Sequence, residues 1–294
     1  MTIRPRRSVL YMPGSNARAV EKARTLPVDG VVLDLEDSVA PDAKASAREQ
    51  VDAAVTEGGF GNRELFVRVN GLDTPWFADD LAALAPLAPD GVLVPKISSA
   101  GQLEMIGKRL LDMHVDQRTR VWAMMETPLA ILNVREIAAA AQDSETRFAG
   151  FVLGTNDLAK ETGTRIVPGR WTMMPWMMSV VAAARAYGLV VLDSVYNDIG
   201  DAAGFAAECA QARDMGLDGK TIIHPSQIEP CNAAFSPTAE EVAQARRIIG
   251  AFDLPENKDK GVVSLDGKMV ERLHADMARR TVAIADAIAG DQAA

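Results

Sequence analysis

Residues 121–128 read VWAMMETP, a β-prone apolar run that leads to Glu126 and then Pro128. Such a run predicts a buried strand that presents a carboxylate at its carboxyl end. Residues 148–157, FAGFVLGTND, repeat this layout and end in a second carboxylate, Asp157. Successive parallel strands end on the same side of a sheet, so we expect the two carboxylates to face each other there. Together they suit Mg²⁺, which commonly binds one or two protein carboxylates and keeps sites for water and substrate.

Six further apolar segments flank these two, and segments with helical patterns separate them. They are Ser8–Met12, Gly30–Leu35, Leu65–Val69, Gly91–Pro95, Leu189–Leu192 and Lys220–Ile223. Eight strands that alternate with helices over about 230 residues predict an α/β fold, a (β/α)8 TIM barrel. The alternative is an open doubly wound sheet. No Gly-x-Gly-x-x-Gly motif follows the first strand, which disfavours a dinucleotide site.

The chain beyond the eighth strand predicts a C-terminal helical extension. It contains a helix over Thr238–Phe252, a short turn or hairpin over Gly261–Met269 and a last helix over Val270–Ala289. Within the barrel domain, one continuous helix from Leu129 to Gln142 is predicted after the fifth strand. We therefore divide the chain into a barrel domain, residues 1–236, and an extension, residues 237–294. The extension either pads the barrel or packs on a neighbouring subunit.

Composition excludes several classes of protein. The 294 residues are 48% hydrophobic and 24% charged, an ordinary globular balance. The net charge of −9 disfavours a general nucleic-acid binder. No apolar run is long enough to cross a bilayer, and no signal peptide is predicted. The two cysteines, Cys209 and Cys231, have no metal or disulfide spacing and favour a reducing, cytoplasmic setting.

Nearly every predicted strand ends in polar or charged residues. They are Glu36, Asp37, Arg68, Lys96, Glu126, Asp157, Asp193, Ser194 and His224. In a (β/α)8 barrel the chemistry lies at the carboxyl ends of the strands. Several acids beside two cations indicate a site for a divalent metal and an anionic ligand.

The two cations, and the acids at the end of the second strand, have distinct expected roles. Arg68 offers a planar fork for a substrate carboxylate or a developing enolate oxygen; the alternative is a buried ion pair with a neighbouring acid. Lys96 is expected to bind substrate electrostatically, since nearby acids keep it protonated and unsuited to a Schiff base. Glu36 and Asp37 are expected to take part in catalysis by holding the metal's waters. Asp34 is expected to tie down a loop.

Two further segments predict contacts with anions. Backbone N–H groups of Gly154, Thr155 and Asn156 can approach a substrate carboxylate, although a plain turn into a helix is the alternative. Arg18 and Lys22, with Arg24, can grip the phosphates of a cofactor, and a solvated basic helix face is equally consistent. His224 is more typical of a structural hydrogen-bond partner than of a catalytic base.

An ordered set of motifs extends over nearly the whole chain and resembles the citrate lyase β-subunit-like group of the HpcH/HpaI aldolase superfamily. This group includes malyl-CoA, citramalyl-CoA and citryl-CoA lyases. The motifs are LYMPGSN (10–16), VVLDLEDSVAPDAKASAR (31–48), VRVNG (67–71), LVPKI (93–97), METP (125–128), LGTNDL (153–158), GKTIIHPSQI (219–228) and SLDGKMVE (264–271).

The resemblance implies a (β/α)8 barrel that assembles as a homotrimer or a hexamer. It implies Mg²⁺, with Mn²⁺ as the alternative ion, on Glu126 and Asp157, and Arg68 on the oxygens of the substrate. The loop from Gly154 holds the oxo-acid carboxylate. The family's C-terminal segment supplies an acid/base aspartate to a neighbouring subunit's site. Here Glu271 stands in that position, with a side chain one methylene longer.

The sequence thus predicts a Mg²⁺-dependent carbon–carbon lyase that cleaves or forms a 3-hydroxyacyl-CoA of the malyl, citramalyl or citryl type. The products are acetyl-CoA and a 2-oxo acid, so the coenzyme A thioester is a co-substrate. One alternative is a metal-dependent 2-oxo-acid aldolase or decarboxylase that does not use CoA. Another is a citrate lyase β-chain that needs partner subunits and acts on a carrier-protein thioester.

Overall fold

Eight parallel strands close into a barrel in sequence order, within the residues 4–293 that the computed structural model describes (side chains to residue 290). The strands are β1 Ser8–Pro13, β2 Gly30–Asp34, β3 Glu64–Arg68, β4 Gly91–Val94, β5 Arg120–Met125, β6 Phe148–Leu153, β7 Val190–Asp193 and β8 Gly219–Ile222. Pairing of β1 with β8 completes the ring. The predicted (β/α)8 barrel is confirmed, and the open sheet is excluded.

Helices connect the strands and surround the barrel. They are α1 Ala17–Ala23, α2 Lys44–Glu57, α3 Phe77–Leu84, α4 Ala100–Asp112, α5 Pro128–Leu132, α6 Val134–Ala139, α7 Thr155–Thr162, α8 Met174–Ala186, α9 Ala202–Asp214 and α10 Ile228–Phe235. The prediction of one continuous helix from Leu129 to Gln142 is wrong. The segment breaks at Asn133, whose side-chain amide instead donates to the Ser98 carbonyl at 2.9 Å.

The barrel interior is a packed core. Alternate strand residues point inward, and they form an apolar cluster of Val9, Val32, Phe66, Leu93, Trp122, Met124, Val152 and Leu192. Phe66 and Trp122 meet edge to face with ring centroids 5.2 Å apart. Gly91 and Gly150 leave the room these rings need, since a Cβ at either would lie 2.5 Å from a ring atom. A ligand therefore has access at the strand ends and not through the barrel.

A buried ion network lies on the outer side of β7 and β8. Leu192 points into the barrel, so its neighbour Asp193 points out toward the helices. Arg170 Nη1 lies 2.7 Å from Asp193 Oδ1, and Lys220 Nζ lies 2.7 Å from Asp193 Oδ2 and 2.6 Å from Glu208 Oε1. Burial alone would raise the pKa of Asp193, but the two cations lower it below its usual value. Asp193 thus joins strands to helices, although the sequence placed it among the strand-tip acids.

The chain separates into two compact units, Arg6–Phe235 and a second unit that begins at Ser236 and includes Arg4 and Pro5. The second unit contains α11 Ala239–Asp253, β9 Val262–Leu265, β10 Lys268–Glu271 and α12 Arg272–Ala293. Residues 1–3 and 294 of the two predicted domains lie outside the described residues. That the extension packs on a neighbouring subunit stays a prediction.

The second unit has its own local signals and its own core. Thr238 and Glu241 form a capping box at the start of α11, which lies within the predicted helix Thr238–Phe252. Asp266 and Gly267 both have positive φ, 52° and 74°, which suits the two-residue turn between β9 and β10. The last helix begins at Arg272 and not at the predicted Val270, because Val270 pairs with Val263 in the hairpin.

No helix in the described part of the chain is both long and apolar enough to span a membrane.

Candidate active site

Five of the predicted strand-tip residues form one connected group at the carboxyl end of the barrel, here called the tip cluster: Glu36, Arg68, Lys96, Glu126 and Asp157. Arg68 Nη1 lies 2.9 Å from Glu36 Oε2. Lys96 Nζ lies 3.6 Å from Glu36 Oε1 and 3.9 Å from Asp157 Oδ1. The Lys96 backbone N–H donates to Glu126 Oε1 at 2.8 Å. The ends of β2 to β6 therefore bring three carboxylates and two cations together.

Glu126 is buried, with 2% of its surface exposed, and its side chain lies over the end of β6. A Cβ at Gly154 would lie 2.4 Å from Glu126 Cβ and 2.5 Å from Glu126 Oε2. Any side chain at position 154 would therefore displace this carboxylate. Glycine is required here for close approach and not for an unusual φ.

Lys96 has a strained backbone. Its φ of 55° is in the left-handed region, which a residue with a Cβ seldom adopts. The turn aims the Lys96 N–H at Glu126 and leaves the ammonium group between Glu36 and Asp157. Strain of this kind is typical of functional sites, where the surrounding structure enforces it.

Arg68 is held mainly by Asp34, its register partner on β2. Its Nε and Nη2 donate to the two Asp34 oxygens at 2.7 and 2.8 Å, a bidentate pair. Asp34 also accepts from the backbone N–H groups of Glu36 and Ser38, so it ties down the β2 loop as expected. Asp37 lies 3.5 Å from Arg68 Nη1 and is largely exposed. The alternative of a buried ion pair for Arg68 is thus present in the fold, while contact with substrate stays a prediction.

The buried carboxylates of the tip cluster carry unfavourable charge. Burial, together with the charges of Glu36 and Asp157, raises the pKa of Glu126 to about 8. Burial also raises the pKa of Glu36 to about 7, against the opposing effect of Arg68. Glu36 Oε2 makes no well-directed hydrogen bond despite its proximity to Arg68. The cluster therefore has more negative charge than its own cations neutralise.

The loop of Gly154, Thr155 and Asn156 leads into α7 beside the tip cluster. Thr155 Oγ1 donates to Ser194 Oγ at 2.9 Å, and the amides of Asn156 and Asn197 exchange hydrogen bonds of 3.2 and 2.9 Å. These bonds tie the end of β6 to the end of β7. Both the predicted anion contact and the alternative of a turn into a helix are consistent with this arrangement, so substrate binding stays a prediction.

Other predicted site residues lie outside the tip cluster. Arg18 and Lys22 are exposed on α1, and their role toward a phosphate stays a prediction. Arg24 is paired with Glu21 and Glu57 and lies over the Phe60 ring. Glu271 belongs to the second unit, where its N–H donates to His274 Nδ1 at 2.9 Å. His224 accepts from Ser226 N–H and caps its own turn, in keeping with a structural role.

Two residues near the site were missed in the sequence. Tyr11 lies inside the barrel under Arg68, whose guanidinium carbon is 4.9 Å from the ring centroid. The signal was the alternation in SVLYMP, since Leu10 and Met12 pack on the outer side. Lys44 is buried and donates to the carbonyls of Leu35 and Glu36 at 2.8 and 2.7 Å. It lies ten residues beyond Asp34 in the sequence, and no local pattern marked it.

The tip cluster fits Mg²⁺. Its donors are hard carboxylate oxygens, and three carboxylates share two cations, so a further positive charge would be favourable. Glu126 and Asp157 would hold the ion, with Glu36 and Asp37 beside it. Among the described residues, no three Asp, Glu, His or Cys side chains converge on a single point as a complete ligand set. Two carboxylates with positions left for water and substrate are the usual provision for Mg²⁺ in enzymes.

Comparison with known proteins gives one consistent result. The HpcH/HpaI aldolase/citrate lyase family profile matches residues 7–225. A (3S)-malyl-CoA thioesterase of Cereibacter sphaeroides (strain KD131 / KCTC 12085) is 47% identical over 289 residues, 98% of this chain and 98% of that protein. The citrate lyase subunit beta of Escherichia coli (strain K12) is 36% identical over 288 residues, 96% of this chain and 94% of that one.

Solved structures agree with these sequence matches. The protein CitE from Mycobacterium tuberculosis, in complex with magnesium, acetoacetate and coenzyme A, has a TM-score of 0.77 and 29% sequence identity. The match covers 97% of this chain and 100% of that chain. A second structure of that protein, with magnesium and pyruvate, has a TM-score of 0.65 and 30% identity over 79% of this chain and 91% of that chain.

Proposed function

This chain belongs to the HpcH/HpaI aldolase/citrate lyase family, and from that premise we propose that it is a Mg²⁺-dependent enzyme that cleaves a CoA thioester of the malyl type. The observation that carries the proposal is the tip cluster, where buried Glu126 lies against Gly154 with Lys96 and Asp157 beside it. Carboxylates that would bind a metal ion, beside the cations Arg68 and Lys96, suit a substrate that is a 2-oxo or 2-hydroxy acid. The relatives whose names include malyl-CoA and the CitE structure with coenzyme A support the choice of substrate.

Carbon–carbon cleavage is the first candidate reaction. The hydroxyl of the 3-hydroxyacyl-CoA loses its proton as its carbon becomes the carbonyl of the 2-oxo acid. The electron pair of the broken C–C bond passes to the thioester enolate, which takes up a proton to give the acetyl-CoA product. When bound, Mg²⁺ supplies Lewis-acid polarisation of the acid's oxygens.

The chain's own residues have separate parts in this proposal. Glu126 and Asp157 would hold the ion, Glu36 and Asp37 would bind its water, and Arg68 with Lys96 would offset negative charge on the substrate. The N–H groups from Gly154 to Asn156 receive the substrate carboxylate. Glu271, from a neighbouring subunit, delivers the proton to the acetyl carbon. Arg18 and Lys22 contact the phosphates of coenzyme A.

Hydrolysis of the thioester is a second candidate, and a specific observation favours it. Relatives named (3S)-malyl-CoA thioesterase are 47% identical to this chain, against 36% for a citrate lyase β subunit. In this reaction water attacks the thioester carbonyl, and the products are malate and free CoA thiol. Glu271 also bears on the choice, since a group misplaced by about 1 Å can cost about 10²-fold in rate. The longer side chain of Glu271 therefore disfavours proton transfer to the acetyl carbon in a site whose geometry suits aspartate, and so disfavours carbon–carbon cleavage.

One assay separates the two reactions. Purified full-length chain is mixed with Mg²⁺ and (3S)-malyl-CoA, and free thiol and glyoxylate are measured in parallel. Carbon–carbon cleavage yields glyoxylate without thiol, and hydrolysis yields thiol without glyoxylate. Excess chelator, and the Asp157→Asn variant, are expected to lower turnover at least 10²-fold. A chain that yields neither product on its own contradicts the proposal and favours the carrier-protein or CoA-free alternatives.

A further inference from the structure

The hydroxyl of Tyr11 is buried and has no hydrogen-bond partner among the described residues. A buried polar group left unpaired costs about 1–3 kcal/mol. A phenylalanine would keep the same ring in the same place without this cost. The hydroxyl therefore needs a partner that the protein alone does not provide.

The surroundings of Tyr11 indicate what that partner is. The ring lies under the Arg68 guanidinium, 4.9 Å from its carbon, so the tyrosine is part of the floor of the tip cluster. The charges of Asp34, Glu126 and Glu36 all act on its hydroxyl. These acids come from β2 and from the end of β5, and none of them accepts a hydrogen bond from Tyr11.

The tyrosine hydroxyl is suited to donate rather than to accept. Burial raises the pKa of the Tyr11 phenol, against the opposing effect of Arg68, so the group stays protonated at neutral pH. The nearby Arg68 and Lys96 neutralise part of the negative charge of the cluster. A ligand oxygen with partial or full negative charge is the acceptor that suits such a position.

We propose that the Tyr11 hydroxyl donates a hydrogen bond to an oxygen of the 2-oxo or 2-hydroxy acid part of the substrate, and so acts as a substrate-binding residue at the floor of the tip cluster. The inference deepens the proposed function and rests on it. It explains why this interior position has a tyrosine, where a phenylalanine would pack equally well. It also limits the ligand to one with an oxygen that reaches the floor of the cluster.

The test compares Tyr11→Phe with the wild-type chain by calorimetric titration of pyruvate at saturating Mg²⁺, preceded by titration of Mg²⁺ alone. Loss of a hydrogen bond to a charged oxygen is expected to weaken pyruvate binding about tenfold or more. Affinity for Mg²⁺ alone should stay unchanged. Tyr187→Phe, at the end of α8 and just before the amino end of β7, is the matched control and should bind as wild type.

A second readout is the melting temperature without ligand. Tyr11→Phe removes no hydrogen bond in the free protein, so it should melt at the same temperature as wild type or higher. Equal pyruvate affinity in the variant, a loss confined to Mg²⁺ binding, or a lower melting temperature without ligand would each overturn the inference. If wild type binds no pyruvate with Mg²⁺ present, the proposed function itself fails. If wild type binds pyruvate and Tyr11→Phe binds it equally well, only the inference about Tyr11 fails.

Discussion

The most restrictive residue in the candidate site is a glycine. Gly154 directly follows β6, and the space a Cβ would fill there is taken by the Glu126 side chain. The acid and the glycine follow neighbouring strands, and the Glu126 carboxylate can take this position only because residue 154 has no side chain. At the scale of single residues, the site therefore depends on a small residue as much as on its charged ones.

Replacement of Gly154 by alanine tests this directly. The new Cβ would lie 2.5 Å from Glu126 Oε2, so Gly154→Ala should move the carboxylate and weaken Mg²⁺ binding at least tenfold by calorimetry. Gly101→Ala is the matched control, since Gly101 lies in α4 with open space around its Cβ position. That control should bind Mg²⁺ normally and gain about 0.5–1 kcal/mol of stability. Unchanged Mg²⁺ affinity in Gly154→Ala would remove Glu126 from the proposed metal site.

At the scale of elements, loops and helices hold the strand ends in place. The β2 loop is fixed by Asp34, which accepts two backbone N–H groups, and by Lys44 of α2, which donates to two carbonyls. The β6 and β7 loops are tied through Thr155 and Ser194. These side chains therefore hold the loops of the site in place before a ligand binds.

The ion network outside β7 and β8 makes a prediction about pH. Asp193→Asn removes one of the two carboxylates that contact the buried Lys220 and Arg170 and leaves Glu208 as the other, and removing one member of a buried ion pair costs about 3–5 kcal/mol. The folded-state pKa of Asp193 is lowered. The carboxylate therefore stabilises the fold above the unfolded pKa of about 3.9, and this stabilisation is lost as the pH falls further.

Urea unfolding of wild type and Asp193→Asn should thus differ most near pH 7, and the difference should shrink on acidification below about pH 4. Asp214→Asn, at an exposed position of α9, is the control and should stay within about 0.5 kcal/mol of wild type. A difference that does not change across this pH range would mean that Asp193 is not ionised in the folded protein.

At the scale of the whole molecule, each unit has an exposed apolar surface. In the barrel unit, Leu132 of α5 and Trp171 before α8 are 81% and 70% exposed, and these two helices pack against each other. In the second unit, Met269 and Met277 are 68% and 64% exposed. Large apolar side chains exposed to this extent are candidates for burial between subunits. They support the proposed homo-oligomer, in which two different surfaces of one chain join and close a ring.

The oligomer is tested by light scattering after gel filtration. Wild type is expected at three or six times the chain mass of 31.5 kDa. Leu132→Asp and Met277→Asp should each shift the protein toward monomer, because each places a charge in an apolar interface. Leu111→Asp, at an exposed site on α4, should leave the mass unchanged. A monomeric wild type would contradict the proposed assembly and the supply of Glu271 by a neighbouring subunit.

The sequence alone determined the order of eight strands and the ends at which their charges gather. Apolar runs and turn residues are local signals, so the sequence alone identifies Glu126, Asp157, Arg68 and Lys96 as residues at the strand ends. The predicted bounds of two helices were wrong. The helix after β5 broke at Asn133, and the last helix began after Val270, because a tertiary hydrogen bond and a hairpin register overrode local propensity.

Only the tertiary structure decided which way each strand-tip side chain points. Successive strand residues face opposite sides, so a shift of one residue exchanges barrel interior for exterior. Asp193, at the end of a predicted strand, therefore points to the helices and not into the tip cluster, while Tyr11, part of an apolar run in the sequence, lies beneath Arg68. The pairing of Arg68 with Asp34 and the fit of Glu126 against Gly154 also depend on strand register. These contacts join residues that are distant in the sequence and that meet only when the strands pair.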